Sequence, residues 1–80
     1  MAPSPRSILR RAAERHGVGT EDILGKRRFK KIAAARHDTI KALRYELGWS
    51  LLRISRYLNL HHTSVLYALN KEREDEDAQT

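Results

Sequence analysis

SLLRISRYLNLHHTSVLYALN, residues 50–70, decides how this chain of 80 residues is read. Ser50 is a helix N-cap, and LLRISRYL (51–58) places Leu51, Ile54 and Leu58 on one helical face with Arg53 and Arg56 on the other. Asn59, Leu60 and His61 make a turn of about three residues. From His62 to about Arg73 the apolar spacing is helical again, with Val65, Leu66 and Leu69 expected inward. Two short amphipathic helices joined this tightly predict a helix-turn-helix, in which the second helix presents its amino end to a partner. Thr63, Tyr67, Asn70 and Lys71 form one polar face of that helix, with His62 and Ser64 beside it, opposite Val65 and Leu69.

The preceding residues supply a frame for that pair. MAPSPRS (1–7) is rich in Pro and Ser and reads as a disordered lead-in, although Ser4 or Ser7 can cap a helix. Ile8–His16 carries Ile8, Leu9, Ala12, Ala13 and His16 on one stripe, and Gly17 supplies a left-handed stop. Thr20 is the expected cap of a short helix, with Glu21 and Asp22 at its positive end, Ile23 and Leu24 beneath it, and Gly25 closing it. The longest helix is expected from about Phe29 to Leu47, with Phe29, Ile32, Ile40, Leu43 and Leu47 inward, and Gly48 ends it. Trp49 reads as a core plug between helices. No repeat and no strand-like alternation occurs, so the fold class is all-α, one domain over residues 8–73 with an acidic flexible tail at 74–80.

Charge points to the partner. The chain carries 16 Lys and Arg against 10 Asp and Glu, a net +6. Half of the acids lie in the last nine residues, so residues 1–71 carry 15 basic and 5 acidic side chains, a net +10. KRRFKK (26–31) packs five cations into six positions between two predicted helices, where like charges repel unless anions approach. A small basic domain of this kind expects a polyanion, and nucleic acid is the commonest one; a merely solvated basic surface is the alternative. No apolar run is long enough for a membrane span, and the arginine-broken N-terminus carries no signal peptide. The absence of cysteine excludes disulfides and thiolate metal sites and suits a reducing cytoplasm.

Enzymatic chemistry finds little support. So short a chain leaves no room for a pocket of several hundred Å³ beside its core. No His-Glu-x-x-His run and no Cys–His spacing occurs, and His61 and His62 point about 100° apart on a helix start, so a shared ion needs a third ligand. We therefore expect no catalytic residue, no metal and no cofactor. Surface or base-contacting histidines are the better reading.

Three stretches together resemble a known family: VGTEDILGKRR (18–28), SLLRIS (50–55) and HHTSVLYA (61–68). They look like the "V..EDLLGK.R", "SLPEIG" and "DHTTVLHA" signatures of the C-terminal DNA-binding domain of the bacterial replication initiator DnaA. The resemblance covers roughly Ile8 to Arg73. It implies a small helical, Trp-repressor-like domain in which a basic loop and a recognition helix grip duplex DNA together. Residue by residue, it implies that Arg28 probes the minor groove and that His61, His62, Thr63 and Ser64 read bases in the major groove. It also implies a supporting role for Arg36 and a phosphate-proximal position for Arg44. The chain departs from the family at His61, which replaces an aspartate, at His37, which replaces a glutamine, and at Leu52, which replaces a proline.

The resulting expectation is a sequence-specific double-stranded DNA-binding protein that reads DnaA-box-like sites and regulates replication initiation or transcription. Arg28, His61, His62, Thr63, Ser64 and Tyr67 would contact bases; Lys26, Arg27, Lys30, Lys31, Arg36, Lys41 and Arg44 would meet phosphates. No G-x-x-x-x-G-K-[ST] loop is present, so no ATPase is expected. A chain running from Met1 to an acidic end reads as a stand-alone domain, monomer or weak dimer, cytoplasmic and nucleoid-associated. The rival expectation is a protein-interaction module that mimics the initiator's C-terminal domain, with the initiator or another replication protein as partner and DNA incidental.

Overall fold

The computed structural model describes residues 3–25 and 29–78, with side chains to Asn70. Five helices follow one another: α1 (Pro5–His16), α2 (Thr20–Leu24), α3 (Lys30–Tyr45), α4 (Leu51–Leu58) and α5 (His62–Ala78). No strand occurs among the described residues.

Helix α1 begins at Pro5, earlier than the expected Ile8, so residues 5–7 belong to the helix rather than to a disordered lead-in. The cause is local. Ser4 is the cap, its hydroxyl accepting the Ser7 N–H at 3.1 Å, and Pro5 stands at N1, where its missing N–H costs nothing. Gly17 closes the helix at φ 66°. Ile8, Leu9, Ala12 and Ala13 are buried on the face that packs along α3. The cap of α2 is Gly19 rather than Thr20, and the Asp22 carboxylate accepts the Gly19 N–H at 3.2 Å. Ile23 is fully buried, whereas Leu24, also expected beneath the helix, is 36% exposed.

Helix α3 is the spine of the molecule, burying Ile32, Ala35, Thr39, Ile40 and Leu43. The Thr39 hydroxyl, inside the core, donates to the Ala35 carbonyl at 2.9 Å and so enters the interior satisfied. Phe29 is not on the apolar stripe: it is the N-cap, with extended backbone, and is 65% exposed. The helix stops at Tyr45, two residues before the expected Leu47. Gly48 (φ 67°) then turns the chain, and the Trp49 N–H donates back to the Leu43 carbonyl at 3.1 Å. Trp49 is indeed buried between helices, with the Tyr57 ring edge-on at 5.5 Å and the Arg53 guanidinium 4.2 Å from its ring centre.

Helix α4 starts on Ser50, whose hydroxyl accepts the Arg53 N–H at 3.2 Å. It ends on Asn59 in the left-handed conformation (φ 55°, ψ 45°), and the N–H of Leu60 donates to the Ser55 carbonyl at 2.8 Å. Ile54, Leu58 and Val65 meet in the core and lock α4 against α5. Leu66, expected inward, is 43% exposed, whereas its neighbour Val65 is fully buried. The helix runs to Ala78, through residues expected to fray.

Ion pairs tie α1 to α3. Arg11 meets Glu46 at 2.9 Å, and Asp38 bonds His16 while standing 3.8 Å from Arg15. Between these helices lies a groove of about 500 Å³, and a second of about 510 Å³ lies between α3 and α5. Such volumes were not expected in so small a chain. They exist because they are clefts between helices, walled in part by exposed side chains such as Arg11 and Tyr67, and take nothing from the core.

The turn at Asn59 sets the angle between α4 and α5. Asn59→Val should destabilise the fold by about 1–2 kcal/mol, the cost of a left-handed L-residue. Asn59→Gly should leave it equal or better; urea denaturation of both variants measures the difference.

Candidate nucleic-acid interface

The amino end of α5 is built from His61 outward. The His61 carbonyl accepts the N–H groups of Ser64 (3.0 Å) and Val65 (3.4 Å), which makes His61 the N-cap. Its side chain caps as well: Nδ1 accepts the Thr63 backbone N–H at 3.3 Å, and the Thr63 hydroxyl donates to the same nitrogen at 2.7 Å. The His62 ring lies against that of His61, centres 4.3 Å apart. His61, His62, Thr63, Ser64, Tyr67 and Asn70 are all exposed, while Val65 beneath them is fully buried. One buried residue thus fixes a helix start whose other side chains face outward.

Arg36 joins a second element to this surface. From α3 its Nε donates to the Ile23 carbonyl at 3.0 Å, and its Nη2 donates to Gly25 at 2.8 Å and to Asp22 at 3.4 Å. The Asp22 carbonyl also accepts the Gly25 N–H at 3.3 Å, so the guanidinium closes α2 beside that backbone bond and holds Gly25, where the basic loop departs. Lys26, Arg27 and Arg28 lie outside the described residues. Arg36 and His37 of α3 also line the groove whose other wall is Leu60, Ser64 and Tyr67. Arg36 therefore touches both the loop's point of departure and the groove beside the start of α5. Among the described residues, the Nε2 of His37, another lining residue, is the buried side-chain polar atom without a hydrogen-bond partner.

The other cations are spread along α3. Lys30 and Lys31 are exposed in its first turn, which contains no acidic residue. Cations there oppose the helix dipole, and an approaching anion would relieve them. Lys41 is half-buried. Arg44 lies eight residues beyond Arg36, about 12 Å along the helix. Its Nη1 donates to the Trp49 carbonyl at 2.9 Å, so it braces the α3–α4 link. The structure therefore brings Arg36, Ser64 and Tyr67 together and sets Arg44 apart from them. Sequence reasoning missed two roles, the cap made by His61 and the clamp made by Arg36. Histidine is a rare cap and leaves no spacing signature. A bond across eleven or more residues leaves none either.

Among the described residues no cluster of His, Asp or Glu could hold a metal ion, and no helix is long and apolar enough to cross a membrane. The arrangement defines a helix-turn-helix domain, with α4 bracing and α5 presenting. A family model described as the bacterial dnaA protein helix-turn-helix matches residues 5–71, and the chain belongs to that family of DNA-binding domains. It is 31% identical over 65 residues to the chromosomal replication initiator protein DnaA 2 of Protochlamydia amoebophila (strain UWE25). That match covers 81% of this chain and 14% of the relative, so the chain corresponds to a small part of that protein. No solved structure matches.

If Arg36 is the clamp, Arg36→Ala should lower stability by about 1.5–3 kcal/mol, the usual worth of hydrogen bonds to a charged group. Arg36→Lys should recover little of it, because a single ammonium lacks the fork that reaches carbonyls of Asp22, Ile23 and Gly25 at once. Chemical denaturation of the two variants decides it.

Proposed function

We propose that the chain reads DnaA-box-like sites in double-stranded DNA, without nucleotide hydrolysis by these residues, and thereby regulates replication initiation or transcription. The observation that carries this is the shared groove: Arg36, which pins the base of the basic loop, faces Ser64 and Tyr67 at the start of α5. A duplex laid across it presents its major groove to α5 and its minor groove to the loop, with the sugar–phosphate ridge between them over the α3–α5 cleft. His62, Thr63, Ser64 and Tyr67 then reach base edges, together with His61, and Arg28 enters the minor groove. Lys26, Arg27, Lys30, Lys31 and Lys41 neutralise phosphates. Arg36 acts chiefly by holding the loop and Arg44 by holding Trp49. A phosphate in the cleft would also give the His37 Nε2 a partner.

Membership of a DNA-binding family and the net +10 of residues 1–71 support the same reading. The 80 residues contain no phosphate-binding loop, so regulation here would work by occupying sites. A link to the initiator itself, a weak dimer and a nucleoid location belong to the same proposal.

With roughly five phosphates neutralised, the logarithm of the association constant should fall against log salt with a slope of about −4 to −5. Lys30→Ala should weaken a DnaA-box duplex and a scrambled duplex alike. Thr63→Ala should cost about 1–3 kcal/mol on the box alone. Fluorescence anisotropy titrations measure all three. Equal affinity of the unaltered protein for both duplexes would remove sequence-specific reading and favour the interaction-module alternative.

A further inference from the structure

The hydrogen bonds of His61 fix more than the helix start. A backbone N–H can only donate, so the Nδ1 that receives it from Thr63 carries a lone pair, and the neutral ring has its proton on Nε2. The Thr63 hydroxyl, 2.7 Å from the same Nδ1, donates to that lone pair too. Nε2–H, on the far side of an exposed ring, makes no hydrogen bond among the described residues. The His62 ring, 4.3 Å away and tilted 31°, restrains the ring's swing. His61 therefore presents one outward hydrogen-bond donor from the amino end of the helix and no outward acceptor.

We propose that His61 is a specificity-determining residue that demands a hydrogen-bond acceptor on the base edge it meets, and so selects guanine, adenine or thymine and rejects cytosine at that position. This rests on the reading of α5 as the helix that enters the major groove. In that groove guanine offers N7 and O6, adenine N7 and thymine O4, whereas cytosine offers only the N4 amino group, a donor. Two donors facing each other leave both unpaired once water is excluded, and that penalty is the source of the rejection. Guanine, with two acceptors and no donor on its major-groove edge, fits the ring best.

The test exploits side chains that cap equally well but differ in what they leave outward. Asp and Asn are both preferred N-caps, so His61→Asp and His61→Asn keep the Thr63 N–H satisfied. Asp then presents only acceptor oxygen, whereas Asn uses its oxygen for the cap and presents its NH₂ as a donor. Bound sequences should be selected from random duplex DNA with the unaltered protein and with both variants, and circular dichroism should show equal helicity for all three. One base position is expected to be poor in cytosine for the unaltered protein and for His61→Asn, and to become cytosine-rich for His61→Asp. At that position, replacing the preferred base by cytosine should weaken the unaltered protein about 5- to 100-fold, as for the loss of a direct base contact. If the unaltered protein enriches a site but His61→Asp selects the same bases throughout, His61 is not a polarity filter and this inference is overturned while the DNA-reading function stands. If the unaltered protein enriches no sequence, the DNA-reading proposal itself fails and takes this inference with it.

Discussion

Arg36 is the side chain on which the surface depends. Helix α2 has five residues, too few to be stable by itself, and the carbonyls at its end are only partly satisfied by its own backbone. The guanidinium reaches three of them from α3, which is long and anchored by five buried side chains. A weak element is thereby fixed to a strong one at the point where the chain leaves for the basic loop. Because Arg36 also walls the groove shared with α5, one side chain touches both the loop's origin and the cleft beside the helix start.

Electrostatics explains why this surface exists although it costs stability. Ordinary helices place acids in their first turn, yet α1, α3, α4 and α5 have none there. Helix α3 even begins with Lys30 and Lys31. Against a net charge of +10 over residues 1–71, the ion pairs among the described residues sit elsewhere, between α1 and α3, where Arg11, Arg15 and His16 meet Glu46 and Asp38. Two of the five acids in residues 1–71, Asp38 and Glu46, are thus engaged between α1 and α3, while Lys30 and Lys31 at the start of α3 make no ion pair among the described residues. A polyanion would relieve that imbalance, and the same imbalance would draw it in over long range.

Much of this was legible in the sequence. Gly17, Gly48, Ser50 and the 3.6-residue spacing of apolar residues mark the helices and the helix-turn-helix, because local chemistry alone determines them. The errors have a common physical origin. Phe29, Leu24 and Leu66 are apolar and adjacent to helical stripes, but whether both of two apolar neighbours are covered, as Ile8 and Leu9 are, depends on what packs against the helix, and Phe29 stands outside α3 as its N-cap. The start of α1 was misplaced because the composition of residues 1–7 suggests disorder, although Ser4 and Pro5 together make a helix start. The candidate base-contacting residues could be named from spacing and resemblance. That Arg36 and Arg44 are turned toward backbone carbonyls could not, because long-range bonds decide where a flexible cation goes.

At His61 the cap of α5 and the proposed recognition meet in one ring. Helix α5 is held by few contacts near its start: Val65 is buried, Leu60, Ala68 and Leu69 only partly so. A free Thr63 N–H at that end would loosen the side chains that face outward. The residue at 61 must therefore offer an acceptor inward, which confines it to side chains such as Asp, Asn, Ser, Thr or a correctly protonated His. Within that set the inward duty is constant and only the outward atom changes, from carboxylate acceptor to amide or imidazole donor. If His61 reads a base as proposed, substitutions there alter what is read without disturbing how the helix is held.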